Sequence, residues 1–230
     1  MKRFWKAAEV VVAENGFGIT LDCRSLKTPA RADLAMPTRW LAEAIAAEWN
    51  ECGESVDPRT MPLTGLANAA IDRITIDKDQ FAAGFARYAE GDLLSYRAEG
   101  PKALVARQAE SWDPLLAWAR RRFDVDFACI SGVMHAPQPE ETVRKLGHAV
   151  AMLDPFQLAG LSPLVTIGGS LVAGLAVLEG MMPAEDVWEA VSLDDRWQLE
   201  QWGEDSEARA ALDLRRRDFL AAARFLDLLN

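Results

Sequence analysis

Histidine and cysteine are scarce in this chain, with two histidines and three cysteines among 230 residues. His135 falls in an expected loop and His148 on an expected helix, and no carboxylate or thiolate cluster stands near either at metal-ligand spacing. A histidine-based hydrolytic or metal site therefore has little to draw on. Cys23, Cys52 and Cys129 are odd in number and far apart, which points away from a disulfide framework and toward a reducing compartment. Positive charge is also in deficit: 35 acidic against 25 basic residues give a net charge of −10, so no phosphate-tracking nucleic-acid surface is expected. The run from Gly168 to Gly174 lacks the Lys of a phosphate-binding loop, since Leu175 stands there, and it lacks the second Gly of a nucleophile elbow, since Val172 stands there. Neither a cofactor nor a metal is called for. The first residues, Met-Lys-Arg-Phe-Trp-Lys, lead into Ala7, Ala8 and Glu9 rather than an apolar run, so no secretory signal is expected.

One uncharged stretch, Pro155 to Leu178, is long enough on paper to span a bilayer. Pro163 and four glycines interrupt it, and it reads instead as a buried helix pair broken near the proline, at 155–161 and 164–180. Half of all residues are apolar and 26% are charged, which supplies a real core and excludes disorder as the main state. The length favours two compact units.

Periodicity divides the chain in character. Residues 4–12 and 17–22 are β-prone and flank Glu14-Asn15-Gly16, a hairpin signal in which Asn-Gly would form a type I′ turn. A second tight turn is expected at Asp22-Cys23-Arg24-Ser25, returning into Leu26-Lys27-Thr28-Pro29. Thr38 caps an apolar set at helical spacing, Leu41, Ala42, Ile45, Ala46 and Trp49, which predicts a helix over 39–51 stopped by Cys52-Gly53. Helices follow at 65–76 and 78–90, then a short strand over 92–97. After the break Glu99-Gly100-Pro101 helices dominate, at 102–122, 139–152, 155–161, 164–180, 184–202 and 205–228, with one β-prone interruption from Phe127 to Val133. The fold class is α+β in two domains: a mixed N-terminal domain with a small antiparallel sheet, residues 1–99, and a C-terminal helical bundle, residues 100–230.

Three features sit poorly with an ordinary core. Trp188, Val191, Asp195, Gln198 and Trp202 fall on one stripe of the expected 184–202 helix, and a carboxylate and an amide occupy its middle. A buried carboxylate is costly unless paired, so Asp195 meets an Arg or Lys inside the fold, faces a functional cleft, or serves a partner. On the 102–122 helix, Gln108 interrupts the stripe Leu104, Trp112, Leu115 and Ala119, where it would bridge two helices or serve a partner. Eight tryptophans against two tyrosines complete the set; some of Trp5, Trp40, Trp118 and Trp202 could line a protein-binding groove. The small residues Gly169, Ala173, Ser170 and Gly174 read as a close-packing face.

Several strings in order then resemble one family: Arg3-Phe4-Trp5-Lys6, Leu21-Asp22, Leu26-Lys27-Thr28-Pro29, Glu48-Trp49, Met61-Pro62-Leu63-Thr64, Leu66-Ala67-Asn68, Ile71-Asp72, Tyr96-Arg97, Trp112-Asp113-Pro114-Leu115, Gly169-Ser170-Leu171, and Gln198 with Trp202-Gly203. The chain is similar over nearly its whole length to the chaperones that attend the alpha subunit of the F(1) sector of ATP synthase during assembly. The family pattern has Gly where Cys23 stands, Thr where Ala69 stands, and an acidic pair that is here Asp194-Asp195 rather than Glu-Glu. The resemblance implies a chaperone without catalysis, which holds the unassembled alpha subunit until a beta subunit replaces it and so prevents its aggregation. It also implies a bacterial cytoplasmic protein, since the transit segment of mitochondrial members is missing. Partner-binding candidates are Asp194, Asp195, Gln198, Trp202, Gln108 and Trp112. No membrane insertion is expected, and the free protein is expected to be a monomer. The rival reading is a small-molecule enzyme with Asp195 as general base and Arg97 or Arg196 as anion anchor, which needs a deep pocket around Asp195 and a second titratable group.

Overall fold

A computed structural model describes residues 2–132, 134, 136–203 and 205–230. His135, and Val133 at the end of the expected β-prone stretch, lie outside them. The fold is the α+β class expected. Its contacts group into two compact units, neither of which is a single run of chain: the residues up to Lys78 with Asp154–Gly160 and Arg224–Asn230, and Asp79–Leu153 with Leu161–Ala223. The expected division between residues 99 and 100 is, by contrast, a single cut.

The first unit carries the sheet. Strands β1 (Ala8–Ala13) and β2 (Gly16–Leu21) pair antiparallel over six residues, β3 (Arg24–Ser25) extends the order on the other side of β2, and β4 (Ala35–Met36) also pairs with β2. The first hairpin is built one residue earlier than expected. Ala13 pairs with Gly16, so Glu14 and Asn15 form the loop, and neither has positive φ. Gly16 instead opens β2 at φ 127°, where any Cβ would collide with the Met36 carbonyl. The type I′ geometry occurs in the second turn, at Asp22 (φ 47°) and Cys23 (φ 69°). A glycine at the Cys23 position would be free of this strain, because a left-handed residue costs a side chain roughly 1–2 kcal/mol.

Helix α1 (Arg39–Glu51) starts at Thr38, whose hydroxyl accepts from the Leu41 N–H, and buries Leu41, Ala42, Ile45, Ala46 and Trp49 as the spacing predicts. The strings before residue 79 that carried the family resemblance build this unit. Arg3 donates to the carbonyls of Trp5, Asn50 and Cys52, and the Trp5 indole donates to the Trp49 carbonyl at 3.2 Å. Asp72 accepts from the Thr28 hydroxyl (2.6 Å) and the Ala30 N–H (3.0 Å). Glu48 receives the Leu63 and Thr64 N–H groups and the Thr64 hydroxyl, capping helix α2 (Pro62–Ala69). Helix α2 begins three residues before the expected 65, because proline is suited to the first helical turn, and it ends in a π-helical turn, Ala70–Ile74. Phe156 and Phe225 stack at 6.3 Å within the same unit.

The second unit is helical apart from one parallel pair, β5 (Tyr96–Arg97) with β6 (Ile130–Ser131). Its helices are α3 (Lys78–Ala86), which enters from the first unit, α4 (Lys102–Phe123), α5 (Glu140–Ala151), most of α6 (Pro155–Gly168), α7 (Leu171–Leu178), α8 (Ala184–Val191), α9 (Leu193–Trp202) and most of α10 (Ser206–Asp227). Helix α6 passes straight through Pro163, contrary to the expected break there. Burial of Leu158, Ala159, Leu161, Leu164 and Val165 offsets the ~3 kcal/mol that an internal proline costs. The chain turns instead at Gly169, φ 65°, and Ser170 caps α7 by accepting from the Ala173 N–H. At Gly174 the close-packing reading holds, since a Cβ there would meet Val165 at 2.8 Å. At Gly169 it does not, because that glycine serves the turn. Among the described residues no helix is long and apolar enough to cross a membrane.

Candidate functional site

The two α4 candidates are interior. Gln108 is 1% exposed and satisfied at both ends: its Oε1 accepts from the Ala98 N–H and its Nε2 donates to Asp194 Oδ1, each at 2.8 Å. The bridging role is therefore the one the amide fills, and it ties the first turn of α9 to α4. Trp112 is fully buried, and its Nε1 donates to the Ala190 carbonyl of α8 at 2.8 Å. The Arg97 guanidinium lies 5.2 Å from the Trp112 ring and donates to the Leu94 carbonyl and to Asp113.

The single 184–202 helix is corrected to two, α8 and α9, with Ser192 between them. The Ser192 N–H makes the ordinary helical bond to the Trp188 carbonyl at 3.0 Å, and the Ser192 hydroxyl donates to the same oxygen at 2.7 Å, a back-bond that bends helices. Arg196 holds the junction by donating to the Glu189 carbonyl and to the Ser192 hydroxyl. The stripe counted across Ser192 consequently changes environment along its length. Trp188 and Val191 are buried, Asp195 is half exposed, Gln198 is exposed, and Trp202 is 81% exposed. Asp195 is neither in a buried ion pair nor in a deep cleft: it pairs with Arg215 of α10 at 2.7 Å, the two side chains 47% and 42% exposed.

Two clefts lie beside these residues on α9. An open one of about 380 Å³ is lined by Arg196, Leu199, Glu200 and Arg209, and a smaller one of about 130 Å³ by Arg107, Glu110, Ser111, Leu193, Arg196 and Glu200. Arg107 pairs with Glu200 at 2.7 Å and covers the Trp197 ring at 4.8 Å. Asp195 lines neither of these two clefts and its side chain is 47% exposed, while Arg97 and Arg196 are both committed to other partners, so among the described residues the proposed general base lacks the enclosed setting it needs. Charges of both signs border an open surface, which suits a protein face better than a small-molecule cavity.

Two carboxylates, one buried and one half-buried, escaped the sequence reading. Asp92 is fully buried and accepts from the Leu94 and Val172 N–H groups, holding the start of α7. Burial pushes its carboxyl up, against the pull of those donors and of Ser170. Burial likewise raises the Glu48 carboxyl, against its hydrogen bonds from Thr64 and Leu63. The available signal was an acidic residue before a proline-led or serine-capped helix start far along the chain, and nothing local links the two. The Gly-rich run thus receives a carboxylate from within the fold at its helix N-terminus.

The family model of ATP12 chaperone proteins matches residues 2–120, just over half of the chain. The chain belongs to the ATP12 chaperone family. The resemblance read from the sequence is thereby borne out, and the chain is a chaperone of that family. A mitochondrial ATP12 protein from Schizosaccharomyces pombe is 26% identical over 214 residues, 88% of this chain and 74% of its own length. The crystal structure of ATP12 from Paracoccus denitrificans superposes with a TM-score of 0.94 at 41% identity, covering 100% of this chain and 98% of that one. A crystal structure of a protein from Agrobacterium tumefaciens matches with the same TM-score, 0.94, at 39% identity, covering 100% of this chain and 86% of that one.

Proposed function

We propose that this ATP12-family chaperone works without catalysis or cofactor, as a cytoplasmic monomer. It serves assembly of the F(1) sector of ATP synthase by holding the unassembled alpha subunit until a beta subunit displaces it. The client face is the outer side of α9, with Asp195, Gln198 and Trp202 in contact, while Asp194, Gln108 and Trp112 fix the helix that presents them. The observation that carries this reading is Trp202, an indole 81% exposed at the end of a helix whose start is locked by a buried amide network. An indole is costly to leave in water, and burying one at an interface contributes ~2–3 kcal/mol. Polar groups around it supply a rim that limits nonspecific sticking.

A holding chaperone covers its client once, so suppression of aggregation should need near-equal amounts of the two proteins and no nucleotide. Light scattering during dilution of denatured alpha subunit measures this. Suppression at trace amounts, or equal suppression of unrelated denatured proteins, would contradict the reading.

A further inference from the structure

Strand β1 is an edge: among the described residues its only ladder partner is β2. Asn50 of α1 shows which backbone groups face outward, because its Oδ1 accepts from the Ala8 N–H at 2.8 Å and its Nδ2 donates to the Ala8 carbonyl at 2.9 Å. That is the pair of bonds a neighbouring strand would make. Ala7, one residue earlier, points the other way and receives the Asp22 N–H across the hairpin. Since orientation alternates along an antiparallel strand, the N–H and C=O groups of Val10 and Val12 continue the outward row that Asn50 closes at Ala8.

Natural edges are blunted by bulges, prolines, lysines or inward charges. The register of β1 with β2 runs unbroken through six pairs, and no proline or lysine stands in Ala8–Ala13. The side chains open at the same place. Ala8, Val10 and Val12 pair with Leu21, Ile19 and Phe17 and share their face of the sheet. Ala8 and Ile19 are buried, whereas Val12 is 85% exposed. The backbone edge is therefore unfinished at Val10 and Val12, and the apolar face passes from half-buried at Val10 to open at Val12.

We infer that this edge takes up an extended segment of the client, which adds to β1 as a further strand. The inference rests on the chaperone reading above, since a subunit awaiting its neighbours is the partner with unpaired segments to offer. The segment has apolar side chains at alternate positions, to cover Val10 and Val12, and basic ones on its other face, where the strand's only charge, Glu9, is exposed. A second copy of this chain fits worse, because β1 against β1 would set two Glu9 side chains on one face.

Hydrogen exchange in the complex with isolated alpha subunit tests this. The Val10 and Val12 amides should exchange freely in the chaperone alone and at least tenfold more slowly in the complex, while Val11, already bonded across to Gly18, changes little. Val12→Pro removes an N–H that no ladder bond uses, at an edge position where proline is tolerated, so thermal unfolding should fall little while affinity for alpha subunit falls at least tenfold. Val12→Lys, which keeps the N–H and leaves the ladder intact, should weaken the complex in the same direction. A complex in which both amides still exchange freely, or a Val12→Lys protein that binds as the parent does, would overturn strand addition and leave the chaperone reading standing. No complex at all with the unsubstituted protein would overturn the function proposed above, and this inference with it. Protection that arises in the chaperone alone and grows with its concentration would give the edge to a second copy and overturn the client assignment.

Discussion

Helices α8 and α9 are one residue apart and use their side chains in opposite ways. In α8, Val187, Trp188, Ala190 and Val191 are buried, and Trp188 packs on Phe219 with ring centroids 5.5 Å apart. In α9, only Leu193 is buried. The first helix is an anchor and the second a display, and Ser192 is the joint. A recognition surface gains from this division, because side chains on a fixed helix lose little further freedom when a partner arrives.

The largest effect that would sharpen the contrast lies at the anchor. Trp112→Ala removes a fully buried indole together with its hydrogen bond to the Ala190 carbonyl of α8, so a loss of ~3–5 kcal/mol is expected in denaturant unfolding. A variant as stable as the parent would show that α8 is held by something else.

Asp92→Asn comes next, at ~1–3 kcal/mol, because a carbonyl oxygen and an NH₂ replace an acceptor that two backbone N–H groups share. Its dependence on pH has a definite sign. Burial raises the folded-state carboxyl above its unfolded value, so the native state holds the proton more tightly. The contribution of Asp92 to stability is then full below the unfolded carboxylate range and shrinks as pH rises through the folded value. Asn does not titrate, so the gap between parent and variant should be widest in acid and narrow toward neutrality. Unfolding curves across that range check this, and a gap that widens with pH would mean that the N–H donors outweigh burial.

Gln108→Ala should cost ~1–2 kcal/mol, since it strands the Ala98 N–H and frees Asp194. It links the two halves of the comparison, because the display helix is tied to α4 through this amide. Weakened alpha-subunit binding beyond the loss of stability is the expected result. Stability lost with binding intact would make the bridge purely structural.

How much of this was legible follows from the range of each signal. Local periodicity sufficed for β1, β2, α1 and the α4 stripe, where Gln108, Trp112, Leu115 and Ala119 are all buried. It misled where one residue ended a helix: the stripe from Trp188 to Trp202 is regular on paper, yet the hydroxyl of Ser192 interrupts it. Pro163 looked like a breaker because its cost is local, whereas the burial that offsets it comes from elsewhere in the chain. The contact-dense units are discontinuous because α6 and α10 each run through both, which no composition shift announces. At the site, residue types were readable but pairings were not. Gln108 meets Asp194 from 86 residues away, and Asp195 finds Arg215 on another helix.

The smallest effect on stability, and the one that bears most on the display helix, is expected at Asp195. Its ion pair with Arg215 is nearly half exposed on both sides, and exposed pairs contribute ~0–1 kcal/mol after side-chain ordering and salt screening. Asp195→Asn keeps the size of the side chain and one acceptor oxygen, so thermal unfolding should hardly move. Binding of alpha subunit should nevertheless weaken about tenfold, a loss of ~1.4 kcal/mol, because the client meets a neutral group where a carboxylate stood. Arg215→Gln separates the charge from the pair. Equal weakening by both substitutions would mean that the pair orients α9 for the client, and weakening by Asp195→Asn alone that the carboxylate itself is read. Binding at the parental level by both variants would remove Asp195 from the client face and leave the contact to Trp202 and Gln198 at the far end of the helix.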